Sequence, residues 1–136
     1  MHKKWNQRRL KKMADLCGHG LILDIGFCSN PNVFLKGKVI GVDLRSCKAP
    51  SNYWTTIAAS GEALSFLNQI DDICAGEVIE HLENPIKFLV ECNKALKQGG
   101  KLILSTPNPH YLGDFLRNVL GNVKSLYADT HFYLFP

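Results

Sequence analysis

Apolar residues fall in short blocks along this chain, and the spacing inside the blocks changes from one to the next. Between positions 5 and 17 the apolar residues Trp5, Leu10, Met13, Leu16 and Cys17 form a partial stripe at helical spacing. This predicts a basic amphipathic helix packed on the domain and ended by Gly18 and Gly20. Leu21-Ile22-Leu23-Asp24-Ile25 is a compact apolar run stopped by Gly26, the pattern of a buried strand followed by a tight turn. Val39-Ile40-Gly41-Val42-Asp43 repeats it, again with an acid at the carboxyl end. Aromatic and β-branched residues predict a third strand over 53–58, and apolar runs predict a fourth over 73–75 and a fifth over 101–106. Gly99-Gly100 precedes the fifth and Pro107 stops it. Pro85 opens a helix that ends before Gly99, with Ile86, Phe88, Leu89, Cys92 and Leu96 on one face. A last helix is expected near 112–120.

Strands separated by helices imply a parallel sheet with right-handed crossovers, hence a three-layer α/β/α sandwich with a mostly parallel sheet of about five strands. The connections 26–38 and 44–52 are shorter than the dozen or so residues a helical crossover commonly needs, so loops or clipped helices are expected there. The length of 136 residues, 46% hydrophobic and 21% charged, fits one domain. Within it, 1–18 reads as the basic helix, 19–110 as the core and 111–136 as part of a further face.

The net charge of +4 is uneven: Lys3, Lys4, Arg8, Arg9, Lys11 and Lys12 crowd the first turns with no acid among them. Such a cluster can meet nucleic acid, but the favoured reading is the solvated face of the first helix. No apolar stretch long enough for a signal peptide follows it, and no segment approaches the ~20 residues of a membrane span. A soluble cytoplasmic protein is expected. The five cysteines are odd in number and form no C-x-x-C pair, so neither a disulfide framework nor a zinc knuckle is expected.

In open parallel sheets ligands bind beyond the carboxyl ends of the strands. The residues there are Asp24, Gly26, Phe27 and Cys28 after the first strand, Asp43 and Leu44 after the second, Glu62 and Ala63 after the third, and Gly76 and Glu77 after the fourth. Two acids at successive strand ends suit a ligand with amine and hydroxyl donors, and Gly26 lets backbone approach it. A dinucleotide site needs G-x-G-x-x-G, of which Gly26-Phe27-Cys28-Ser29-Asn30-Pro31 supplies only the first glycine.

Taken in order, the segments LILDIGFCSNPN, VIGVDL, SGEALSF, DDICAGEVIEHLENP, LKQGGKLILSTPNP and HFYLF resemble the class I S-adenosylmethionine-dependent methyltransferases, in particular those of the quinone-biosynthesis type. The resemblance implies a Rossmann-like sheet, lacking here the usual last two strands. It implies S-adenosyl-L-methionine as cofactor, with Asp24 and Gly26 at its methionine end, Asp43 on the ribose hydroxyls and Leu44 against adenine. Glu62 and Ala63 would meet the adenine amino group, and Phe27, Cys28 and Gly76 would complete the pocket. Cys28 and Asn30 stand where the family's glycine-rich loop has glycines.

Glu77-Val78-Ile79-Glu80-His81 is the most chemically loaded string. Read as a helix, it places Glu77 and His81 one turn apart. His81 is the expected base and Glu77 its neighbour at the acceptor, with no metal assigned. The alternative, drawn from small-RNA 2′-O-methyltransferases, has Glu77, Glu80, His81 and His131 holding a divalent ion. The Thr106-Pro107-Asn108-Pro109 segment resembles relatives acting on small molecules, so a small-molecule acceptor is expected before nucleic acid. A non-catalytic binding domain is the other class of reading. The fifth strand, apolar on both faces, predicts an open edge covered by a second copy or a partner chain.

Overall fold

The computed structural model describes residues 2–106. The helix expected near 112–120, the apolar tail and His131 lie outside the described residues. Helix α1 (His2–Leu16) leads into β1 (Leu21–Ile25), β2 (Lys38–Asp43), β3 (Tyr53–Ala58) and β4 (Ile70–Gly76), followed by a 3₁₀ turn (Ile79–His81), α2 (Pro85–Ala95) and β5 (Leu96–Ser105). All four strand pairings are parallel, in the order β3-β2-β1-β4-β5. The connections from β1 to β2 and from β2 to β3 contain turns and loops only. Among the described residues no helix is long and apolar enough to cross a membrane.

Strand periodicity divides the core. Leu23, Ile25, Ile40, Val42, Ile73 and Ala75 point toward α2, where Phe88, Cys92 and Ala95 are fully buried. Truncating a phenyl group buried like that of Phe88 costs about 3–5 kcal/mol. Ile22, Val39, Cys74 and Ile103 point the other way, against Met13 of α1 and against Phe27, Leu35 and Tyr53. Both faces of the central strands are thus covered, which explains their nearly unbroken apolar composition. Asn84 caps α2 by accepting from the Lys87 N–H, and Pro85 sits in the first turn, where its missing N–H costs nothing.

Three expectations change. Leu96 belongs to β5, not to α2: it pairs with Ile70, after which the register jumps so that Asp72 pairs with Lys101. Residues 97–100 are accommodated as an irregularity in the strand, with Gly99 at φ +81°. Ile86 faces solvent at 69% exposure, because the inner face of α2 runs through Phe88, Cys92 and Ala95. Cys28 and Cys47 form a disulfide, bringing together the loops that follow β1 and β2. Neither sits in a C-x-x-C pair, and their proximity comes from the parallel pairing of the two strands, which spacing along the chain does not reveal.

Candidate functional site

A cleft of about 370 Å³ opens beyond the carboxyl ends of β1, β2 and β4. Of the residues expected at the ligand, Gly26, Asp43, Leu44, Gly76, Glu77 and His81 line it. Asp24, Phe27, Cys28, Glu62 and Ala63 are not among its lining residues.

Gly26 adopts φ +80°, and a β-carbon there would meet the Val78 Cγ2 at 2.6 Å, so only glycine lets the chain turn under Val78. Its N–H donates to the Val42 carbonyl at 2.7 Å, which ties the turn to β2. One residue on, Phe27 dives under the sheet, its ring lying on the bare Cα of Gly41 and 5.6 Å from the Tyr53 ring.

Asp43 ends β2. Its Oδ2 accepts the Cys28 N–H at 3.0 Å, and its Oδ1 accepts the Arg45 N–H at 3.0 Å. The Arg45 Nε reaches Oδ1 at 3.4 Å, while the far end of that guanidinium donates to Ser29 Oγ at 2.7 Å. Partial burial works against the charge, but the backbone donors of Arg45 and Cys28, with the Arg45 side chain, outweigh it and hold Asp43 below the usual carboxylate range. Asp43 is therefore an ionised acceptor at neutral pH. Leu44, 78% exposed, offers an apolar surface beside it.

Asp24, expected at the ligand, does not line the cleft. It faces α1, buried, where it accepts from the Tyr53 hydroxyl and from the Asn32 N–H at 3.1 Å. Burial pushes its carboxyl up to about 6, against the lowering by those two donors and by Arg9. Glu62 accepts from the Asn84 N–H at 3.2 Å and so braces the start of α2. Cys28 contributes its N–H to Asp43 and its sulfur to the disulfide.

Glu77 and His81 are not on one helical turn. Glu77 has φ +57°, a left-handed conformation uncommon for a residue with a side chain, and only Ile79–His81 is helical. Two contacts hold the strained residue: its N–H donates to the Ser105 carbonyl at 2.8 Å, and its carboxylate pairs with Arg9 at 3.0 Å. His81 stands at the cleft's mouth, its side chain 78% exposed and 4.0 Å from Glu80. Burial raises the Glu80 carboxyl above its ordinary range. Among the described residues no group of three or more His, Cys, Asp or Glu side chains is placed to hold a metal ion.

Arg9 is the residue that sequence reasoning missed. Its side chain is 3% exposed, yet it lines the cleft, donating to Ser105 Oγ at 3.3 Å and to Asn6 Oδ1 at 2.6 Å besides pairing with Glu77. Its Nε is buried without a partner. Asn6 and Asn30 exchange amide hydrogen bonds at 2.7 and 2.9 Å, so α1 is pinned to the loop after β1. A signal was present: Arg9 lies four residues before Met13 and so shares the buried stripe of α1.

Glycine turns, an ionised acid at a strand end and a cleft across the parallel strand ends define an open α/β domain with its cleft where ligands of such sheets bind. The model of the methyltransferase domain family matches residues 17–136, and the chain belongs to that family. Its sheet is the Rossmann-like one that the class I S-adenosylmethionine-dependent type implies. A ubiquinone biosynthesis O-methyltransferase of Cereibacter sphaeroides (strain KD131 / KCTC 12085) is 32% identical over 106 residues, covering 68% of this chain. The chain spans 39% of that relative's length. Among solved structures, the PH0226 protein of Pyrococcus horikoshii superposes with a TM-score of 0.64 at 21% identity, covering 89% of this chain and 62% of its own. Phosphoethanolamine N-methyltransferase 2 of Haemonchus contortus, solved with S-adenosylhomocysteine, gives 0.59 at 20% identity, covering 86% and 32%. These two likenesses concern the fold.

Proposed function

We propose that the cleft seats S-adenosyl-L-methionine and that the domain transfers its methyl group to an oxygen of a small-molecule acceptor. The observation that carries this reading is Asp43: an ionised carboxylate at a strand end, lining the cleft, with acceptor capacity left for a pair of ribose hydroxyls. Gly26 and Gly76 leave room for close backbone approach on the methionine side. Arg9, which lines the cleft beside Glu77, places a cation near the carboxylate at that end. Leu44 suits the adenine face. The bound cofactor supplies an electrophilic methyl group on a sulfonium sulfur. The protein's part is to align the acceptor oxygen and receive its proton. His81, at the mouth of the cleft, is the side chain placed to accept it. The choice of an oxygen on a small molecule rests on the Cereibacter relative, whose name states O-methylation in ubiquinone biosynthesis.

Calorimetric titration with S-adenosylhomocysteine tests the seat, and turnover with a panel of catechols and phenols tests the transfer. Binding together with methylation of at least one panel member is expected. A folded protein that binds no S-adenosylhomocysteine refutes the reading, whereas binding without turnover on any acceptor leaves a cofactor-binding domain.

A further inference from the structure

Two loops form the Asp43 side of the cleft, and a covalent bond joins them. Cys28 stands two residues after Gly26, and its N–H donates to the Asp43 carboxylate. Cys47 lies four residues beyond Asp43, in the segment between β2 and β3. Their disulfide closes a ring around Asp43, Leu44 and Arg45, and the Cys28 sulfur lies 3.5 Å from the Arg45 carbonyl. Residues 46–50 have no regular secondary structure. Beyond the bridge, the β2–β3 segment is fixed by the bonds of Arg45 at one end and by Asn52 at the other, whose side chain donates to the Asn32 and Leu35 carbonyls at 3.2 and 3.3 Å. Both bridge cysteines are half-buried, and Ser46 and Lys48 beside Cys47 are exposed, so a small reductant can reach the bond.

Resting on the reading of the cleft as the cofactor seat, we infer that the Cys28–Cys47 pair is a thiol–disulfide exchange site that sets cofactor affinity, the oxidised form being the one that binds tightly. Exchange with a dithiol is balanced as follows. One thiolate of the reductant attacks a bridge sulfur, the sulfur–sulfur bond breaks and the other cysteine leaves as a thiolate. The reductant's second thiol then displaces the first cysteine. Two electrons and two protons pass to the protein, which gains two thiols, and the reductant departs as a disulfide. With the tether gone, the loop carrying Leu44 and Arg45 gains freedom that the ligand must remove again on binding.

The test is titration of S-adenosylhomocysteine into the full chain, oxidised, then reduced by excess dithiothreitol, then reoxidised, with circular dichroism recorded in each state. Affinity is expected to fall at least about tenfold on reduction and to return on reoxidation, in line with the loss of preorganisation. A double variant, Cys28→Ser with Cys47→Ser, is expected to bind weakly with or without reductant. Linkage requires that saturating ligand make the bridge harder to reduce by the same factor. Affinities within twofold across the redox states overturn the switch and leave the seat standing, as does a reduced chain that unfolds, which would make the bridge a fold staple. No binding in either state removes the seat and the switch together.

Discussion

Asp24 and Asp43 stand near the ends of neighbouring parallel strands, each closing an apolar run, and yet one is pushed up to about 6 and the other held below the carboxylate range. Register separates them. Asp24 pairs with Gly41, two positions short of Asp43, so the chain level with Asp43 on β1 is already the Gly26 turn. At its depth Asp24 is on the α1 face with Tyr53, Asn32 and Arg9 around it, whereas Asp43, still paired with Ala58 of β3, has passed the last β1–β2 pair and meets backbone donors and the cleft. Two residues of strand length separate an acid that lines the cleft from a buried acceptor beneath it.

The sharpest break of this contrast is in binding. Asp43→Ala is expected to cost about 3 kcal/mol of S-adenosylhomocysteine affinity, roughly a hundredfold, from two charge-assisted hydrogen bonds. Asp24→Asn should leave affinity within twofold, so a large loss in calorimetry there would erase the division of labour.

Stability against pH comes next. Because the folded-state value of Asp24 is raised from 3.8 to about 6, the unfolded chain gives up this proton first. The contribution is therefore fully present below pH 4, falls as pH rises through about 6, and stays lost at neutral pH. Denaturant titrations should show Asp24→Asn, which keeps an oxygen for Tyr53 and Asn32, gaining on the order of 2–3 kcal/mol over the wild type between pH 4 and pH 8. Parallel profiles for the two proteins would contradict the assignment. Tyr53→Phe, which removes a hydroxyl donor from Asp24, should cost about 1–2 kcal/mol in the same assay without changing affinity, and should move the Asp24 titration further up. The smallest effect belongs to Arg45→Ala. Its exposed side chain meets Asp43 at 3.4 Å, so stability should move by under about 0.5 kcal/mol and affinity by less than about threefold.

The class of fold was legible because parallel strands buried on both faces write themselves as apolar runs, and β1 and β3 fall where those runs predicted. The loops in place of the first two crossover helices followed from counting residues. What stayed hidden depends on three-dimensional neighbours. Strand β5 begins five residues before the expected start because Leu96 pairs with Ile70 ahead of an irregularity that no composition marks. The burial of Arg9 was masked by the basic run around it, although its place on the helical stripe was readable. The turn at Glu77 looked helical in sequence, since nothing local announces that the Ser105 carbonyl and Arg9 hold its backbone left-handed. The Cys28–Cys47 bridge needed the strand register, which one sequence does not display.

The pairing of β1 with β4, which joins Ile22 to Asp72 and Ala75 to Ile25, also has a consequence for synthesis on the ribosome. The N-terminal helix and β1 are made long before β4, which pairs with β1 on the side away from β2, and contacts across such separations form late because closing the intervening loop comes first. Until about residue 76 has left the exit tunnel, the edge of β1 that faces away from β2 is unpaired and the cluster around Met13 lacks Cys74. Nascent chains stalled just short of that point should be the ones that recruit chaperones, and those released just beyond it the first to resist protease.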